Sequence, residues 1–136
     1  MKWYPIPKWI PFKRGITLWW PWRREPRIYL PKSRTSDPGR LERTLDHEAV
    51  HCIQWRLLGR VRFAWRYLTS QKHRLELEAE AFAASVRWWP IGTLLKLGPG
   101  LLGRVPPIHY YAHALSKGYR LKYGVSECRE AIQRYL

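Results

Sequence analysis

The stretch Asp46-His47-Glu48-Ala49-Val50-His51-Cys52-Ile53-Gln54-Trp55 decides how the rest of the chain reads. On a helix, His47 and His51 stand four residues apart and share one face. Their imidazoles can then converge on one ion at the roughly 2.0–2.1 Å that Zn–N bonds require. Glu48 is turned about 100° from His47 by the helical repeat, so it can reach a water on such an ion without being a ligand. The flanking residues mark the helix ends. Ser36 or Asp37 serves as cap, Pro38 takes the first helical position, and Gly59 closes the helix in a left-handed conformation. Leu41, Leu45, Glu48, Cys52 and Trp55 form one stripe, and His47, His51, Gln54 and Leu58 the adjacent one. The stripe bearing Leu41, Leu45 and Cys52 is expected to face the core.

A second main helix is expected over residues 72–89, where Leu75, Leu77, Ala79, Ala81 and Phe82 interleave with Glu76, Glu78 and Glu80. Glu76 and Glu80 share a face and Glu78 points elsewhere. At least one acid is thus directed toward the apolar side, where an unpaired carboxylate is costly and a cation removes the cost. Between the two helices, Val61, Ala64, Trp65 and Leu68 recur at helical spacing and predict a short packing helix over 60–68. Residues 90–107, rich in Gly and Pro, read as a packed loop. Residues 108–122 predict a helix carrying a second histidine pair, His109 and His113, to which a packing or helper role is assigned because no carboxylate accompanies it. Ser126 is expected to cap a last helix over 127–136 that buries Ala131, Ile132 and Cys128.

Upstream, Gly15–Trp20 and Arg27–Leu30 predict two short strands, with Pro21 and Pro26 bracketing their connection. Residues 1–14 (MKWYPIPKWIPFKR) alternate aromatic, basic and proline residues, which excludes a helix or a central strand and predicts an extended arm. The arm is expected to pack on its own domain or on a neighbouring subunit.

The chain has 136 residues, which suits one domain after the arm, over 15–136. Cys52 and Cys128 are too few for a disulfide scaffold and lack C-x-x-C spacing. The formal net charge of +15, from 25 basic and 10 acidic residues, favours an acidic partner such as nucleic acid, anionic lipid or an acidic protein surface. No secretory signal pattern and no apolar run long enough for a transmembrane segment is expected; the best candidate, 88–102, is broken by Pro90, Lys96, Gly98, Pro99 and Gly100.

Together the two helical motifs resemble the gluzincin metallopeptidases, and most closely the minigluzincins, small phage-encoded and bacterial proteins of similar length. The shared pattern is H-E-x-x-H-x-x-Q, here His47 to Gln54, followed by a second helix bearing E-x-E-A-aromatic, here Glu78-Ala79-Glu80-Ala81-Phe82. The resemblance covers roughly residues 27–90. It implies an α+β fold: a mainly helical zincin-like domain with a small N-terminal hairpin or sheet. It implies Zn2+ held by His47, His51 and Glu78, a fourth position open to water, and Glu48 as general base for hydrolysis of a peptide or protein substrate. A related pattern, E-x-x-A-acid, also fits Glu76 to Glu80; in that register Glu76 is the ligand and Glu80 supports a histidine. An oxyanion donor beyond the metal is sought among His109, Tyr110, Tyr111 and His113. The chain departs from larger gluzincins in lacking a sizeable second subdomain. Two other readings stand beside the peptidase: a non-enzymatic zinc-bearing module docked through the arm into a larger assembly, such as a phage particle, and a basic-surface binder of nucleic acid or anionic membrane.

Overall fold

The computed structural model describes residues 3–6, 16–18, 25–36, 38–97, 107–119 and 121–136. The remainder of the expected arm, the connection at Pro21, the Asp37 cap and residues 98–106 lie outside these. The architecture is mainly helical with a small N-terminal three-stranded mixed sheet, the α+β organisation expected from the sequence. Strands β1 (Trp3–Pro5), β2 (Ile16–Leu18) and β3 (Arg27–Leu30) lie in the order β1-β3-β2. β2 runs antiparallel to β3, pairing Ile16 with Tyr29 and Leu18 with Arg27. β1 runs parallel to β3, pairing Trp3 with Ile28 and Pro5 with Leu30. Pro5 cannot donate to a ladder, and it sits on an edge strand where that matters least. Residues 3–6 are therefore extended and paired with β3 of their own chain. Ile28, Tyr29 and Leu30 of the central strand are all buried.

A single helical turn, α1 (Lys32–Thr35), leads into α2 (Pro38–Leu58), α3 (Arg60–Thr69), α4 (Gln71–Leu97), α5 (Pro107–Gly118) and α6 (Val125–Gln133). Pro38 opens α2, and Gly59, at φ 73°, separates it from α3. That φ lies where a Cβ is disfavoured, so a glycine makes the turn without strain. The α3 amide ladder starts at once, with Phe63 N–H donating to the Gly59 carbonyl at 3.0 Å.

α4 is buried on two sides. Leu75, Ala79, Phe82 and Ala83 recur at i, i+4, i+7 and i+8 and pack with Tyr111, Ala112 and Leu115 of α5 and Cys128, Ala131 and Ile132 of α6. Leu115 and Ile132 are fully buried, and side chains of that size contribute about 1.5–3 kcal/mol each when removed from water. Another side of α4 presents Leu77, Glu78, Ala81 and Ser85, all buried, and packs against α2.

Four expectations are corrected. α4 does not stop at Trp89 but continues through Pro90 to Leu97; proline removes one amide donor and crowds one carbonyl, and Ile91, Leu94 and Leu95 maintain helical spacing beyond it. α6 is capped by Gly124, not Ser126, with the Gly124 N–H donating to Glu127 Oε2 at 2.8 Å. On α2, Leu41, Leu45 and Cys52 are only half-buried, whereas the polar set His47, Glu48, His51 and Gln54 is the most buried part of the helix. The apolar stripe of α3 faces outward: Val61, Trp65 and Leu68 are exposed and Phe63 is buried instead. Both cysteines are free. Among the described residues no helix is long and apolar enough to cross a membrane.

Candidate metal centre

The buried polar face of α2 meets α4 through His47, His51 and Gln54, and β2 through Glu48. His47, His51 and Glu78 are 7%, 6% and 1% exposed, and one ligating atom from each lies within 4.8 Å of the others. His47 Nε2 is 3.3 Å from Glu78 Oε2, and His51 Nε2 is 3.6 Å from Glu78 Oε1. Both distances exceed the usual 2.7–3.2 Å of a good N–H···O bond. The two contacts run to different oxygens of the one carboxylate, so both imidazoles face it. Glu78 Oε2 is buried with no hydrogen-bond partner among the described residues. A carboxylate oxygen so placed needs a cation, and two imidazoles with a carboxylate are a donor set suited to zinc. The residues present can therefore hold a metal ion.

The α4 acids separate as their spacing requires. Glu78 reaches the histidines. Glu76 turns toward the C-terminus, accepting from Arg134 Nη2 at 2.8 Å and from the Tyr135 hydroxyl at 2.9 Å. Glu80 accepts from Gln54 Nε2 at 2.8 Å. The geometry thus brings Glu78, and not Glu76, to the histidine pair.

Gln54 determines the tautomer of His51. Its amide nitrogen faces two groups that can only accept, the Leu77 carbonyl at 2.9 Å and the Glu80 carboxylate at 2.8 Å. The other end of the amide, Oε1, must accept from His51 Nδ1, which lies 2.8 Å away. Nδ1 therefore carries the proton, and the Nε2 lone pair is directed at Glu78 and available to a metal. No comparable partner reaches His47 Nδ1, which is buried without a hydrogen bond among the described residues. Its ring is held by aromatic packing, 4.6 Å from the Phe82 ring and 4.9 Å, nearly perpendicular, from that of His51.

Two residues at this site escaped the sequence reading. Tyr67 of α3 donates its hydroxyl to Glu78 Oε1 at 2.5 Å. Burial and the Glu78 charge push the Tyr67 pKa upward, so it stays a protonated donor. Its i, i+4 spacing from Phe63 is the sequence signal for it, against a larger number of apolar residues on the other face. Thr17 of β2 donates to Glu48 Oε2 at 2.6 Å, fixing that carboxylate from the sheet side; nothing in local spacing announces a contact across 31 residues. Of the suggested oxyanion donors, His109, Tyr110 and His113 are exposed on α5, and Tyr111 is buried against Phe82 at a ring separation of 5.3 Å.

Electrostatics follow from burial and pairing. Burial alone would lower the His51 pKa, but the adjacent Glu78 charge, with Glu48 and the Gln54 bond, outweighs it and pushes the imidazole up to about 9. Burial alone would raise Glu78; the His51 charge and the closeness of both imidazoles hold it well below the usual carboxylate range. Without metal, a proton on His51 Nε2 takes the cation's place beside Glu78.

The fold and these residues define a class: a mainly helical protein with a buried His/His/Glu triad able to hold a metal ion. No protein-family model matches the chain, and neither a curated protein nor a solved structure resembles it significantly.

Proposed function

We propose that this protein is a zinc-dependent hydrolase of the metallopeptidase type. The observation that carries the reading is the convergence of His47 Nε2, His51 Nε2 and the Glu78 carboxylate, with Glu48 fixed alongside by Thr17. Zinc bound by these residues supplies Lewis acidity, acidifying water and polarising a carbonyl. Glu48 takes the proton of the attacking water and delivers it to the leaving amine. Thr17 holds Glu48 Oε2, which leaves Oε1 to receive that proton. Tyr67 keeps the Glu78 carboxylate oriented, and Gln54 keeps His51 in the ligating tautomer. Among the described residues β2 is an edge strand, and an extended peptide added to that edge lies next to Glu48. The substrate class is therefore an unfolded or extended polypeptide.

The depth of the triad also favours a second reading, a structural zinc in a docking module. Closed structural sites use four protein ligands; three converge here among the described residues, which supports the catalytic reading over the structural one. Glu48→Gln separates them. Zinc stoichiometry should remain at one per chain, while hydrolysis of a quenched-fluorescence peptide library falls by about 10²–10⁴. Zinc-loaded wild-type protein that cleaves none of the library would leave the docking module standing.

A further inference from the structure

Helix α3 has apolar side chains on two opposite faces and uses one. Phe63 points inward, with its ring 4.9 Å from that of Trp55 and 5.8 Å from that of Tyr67. Val61, Trp65 and Leu68 are 83%, 68% and 72% exposed. At about 100° per residue these three fall in a sector roughly 60° wide, on the side away from Phe63. Leu57 and Ile53, one turn apart near the end of α2, are exposed as well. Of the seven large apolar residues exposed among those described, five lie between Ile53 and Leu68.

The charge carried by this stretch of the chain has one sign. No Asp or Glu occurs from Ala49 to Leu75, whereas Arg56, Arg60, Arg62, Arg66, Lys72 and Arg74 do. Arg56 is paired with Glu25, and Arg74 lies over the Tyr67 ring while donating to the Tyr67 and Leu68 carbonyls. Arg62 and Arg60 border the stripe on its two edges by the same helical repeat.

We propose that α3 is a membrane-docking helix, lying in the interface of an anionic bilayer with Val61, Trp65 and Leu68 in the acyl boundary and the bordering arginines on lipid phosphates. A short helix with a tryptophan-bearing apolar stripe edged by arginines is the pattern that binds in the interface plane. Charge complementarity selects this occupant. A second copy of a chain of net charge +15 would press arginine against arginine. The stripe is a ridge, not a groove, since its side chains stand more than two-thirds exposed, and a ridge suits a deformable surface. Each arginine brought near an anionic surface adds roughly a five-fold gain in partition. This inference does not rest on the hydrolase reading: it uses the outer face of α3, and the triad is met by the inner one, through Phe63 and Tyr67.

The test is co-sedimentation of the full chain with vesicles of phosphatidylcholine alone and of phosphatidylcholine with 30% phosphatidylserine. Wild type should pellet with the phosphatidylserine vesicles at least ten-fold more than with the neutral ones. The double variant Trp65→Ser, Leu68→Ser should lose ten-fold or more of that binding, with its circular dichroism unchanged. Arg60→Glu, Arg62→Glu alters the two exposed charges that border the stripe and should lose a similar factor, so the proposal remains testable should the first variant fold poorly. Undiminished binding by folded Trp65→Ser, Leu68→Ser would mean that the basic surface at large acts, as it would toward nucleic acid, and would overturn the proposal. So would the absence of binding to either vesicle, or a wild-type dimer that the same variant converts to monomer.

Discussion

The chain contains two histidine pairs at the same spacing on helices, and they differ in nearly everything but ring geometry. His47 and His51 have ring centroids 4.9 Å apart at 86°, and His109 and His113 5.0 Å apart at 76°. A separation of four residues produces this arrangement on any helix. The first pair is buried, faces a carboxylate from another helix, and has one ring oriented by an amide. The second is exposed, and among the described residues it joins no cluster of possible ligands. The comparison teaches that spacing pairs imidazoles, whereas a metal centre also requires a third donor delivered from elsewhere and exclusion of the water that would otherwise solvate that donor.

The largest expected effect breaks one pair and spares the other. His51→Ala should leave no stoichiometric zinc after gel filtration, measured by elemental analysis, while His113→Ala retains it in full. Zinc at about 1,000 times its Kd should stabilise the wild type by about 4 kcal/mol; His51→Ala should lose all of this in thermal melts, and His113→Ala none. Zinc retained by His51→Ala would remove the distinction between the pairs.

A smaller effect concerns the amide that only the inner pair has. Gln54→Ala frees the His51 tautomer and leaves Glu80 without its donor, so zinc affinity should drop about 10–100-fold with stoichiometry unchanged. Titration against a competing chelator measures this, and an unchanged affinity would deny Gln54 its orienting role.

The smallest effect is one of pH. In the metal-free protein His51 is raised from 6.5 to about 9. Protonated His51 therefore stabilises the fold fully below about pH 6.5, and that contribution is lost as pH rises through about 9. The urea midpoint of metal-free protein should decline across this window. His113→Ala should show the same decline. His51→Ala should not, and saturating zinc should abolish it, since the ion then occupies the proton's place on Nε2. A decline that persists in His51→Ala would assign it to another group.

Much of this was legible in the residues because it is local. Pro38 and Gly59 delimit α2, and the 3.6-residue repeat alone separates Glu78 from Glu76 and Glu80. The hairpin of β2 and β3 follows from alternation and bracketing prolines. What misled was the assumption that apolar faces turn inward. On α3 the longer apolar stripe is the outer one, and on α2 the polar face is buried because its groups find partners in β2 and α4. Hydrophobic periodicity counts side chains but does not register such partners, so it ranks both faces wrongly.

By itself the sequence determined that two imidazoles would stand together on one helix with a carboxylate beside them, and that one acid of the following helix would diverge from its neighbours. Helical geometry depends only on sequence separation, so these relations hold wherever the helices are placed. Tertiary structure alone decided that Glu78 meets His47 and His51, that Thr17 and Tyr67 hold the two carboxylates, and that Trp65 faces outward. Those contacts join residues from 11 to 31 positions apart or depend on which side of a helix is covered, and the packing of β2, α2, α3 and α4 on one another sets them, not any local repeat.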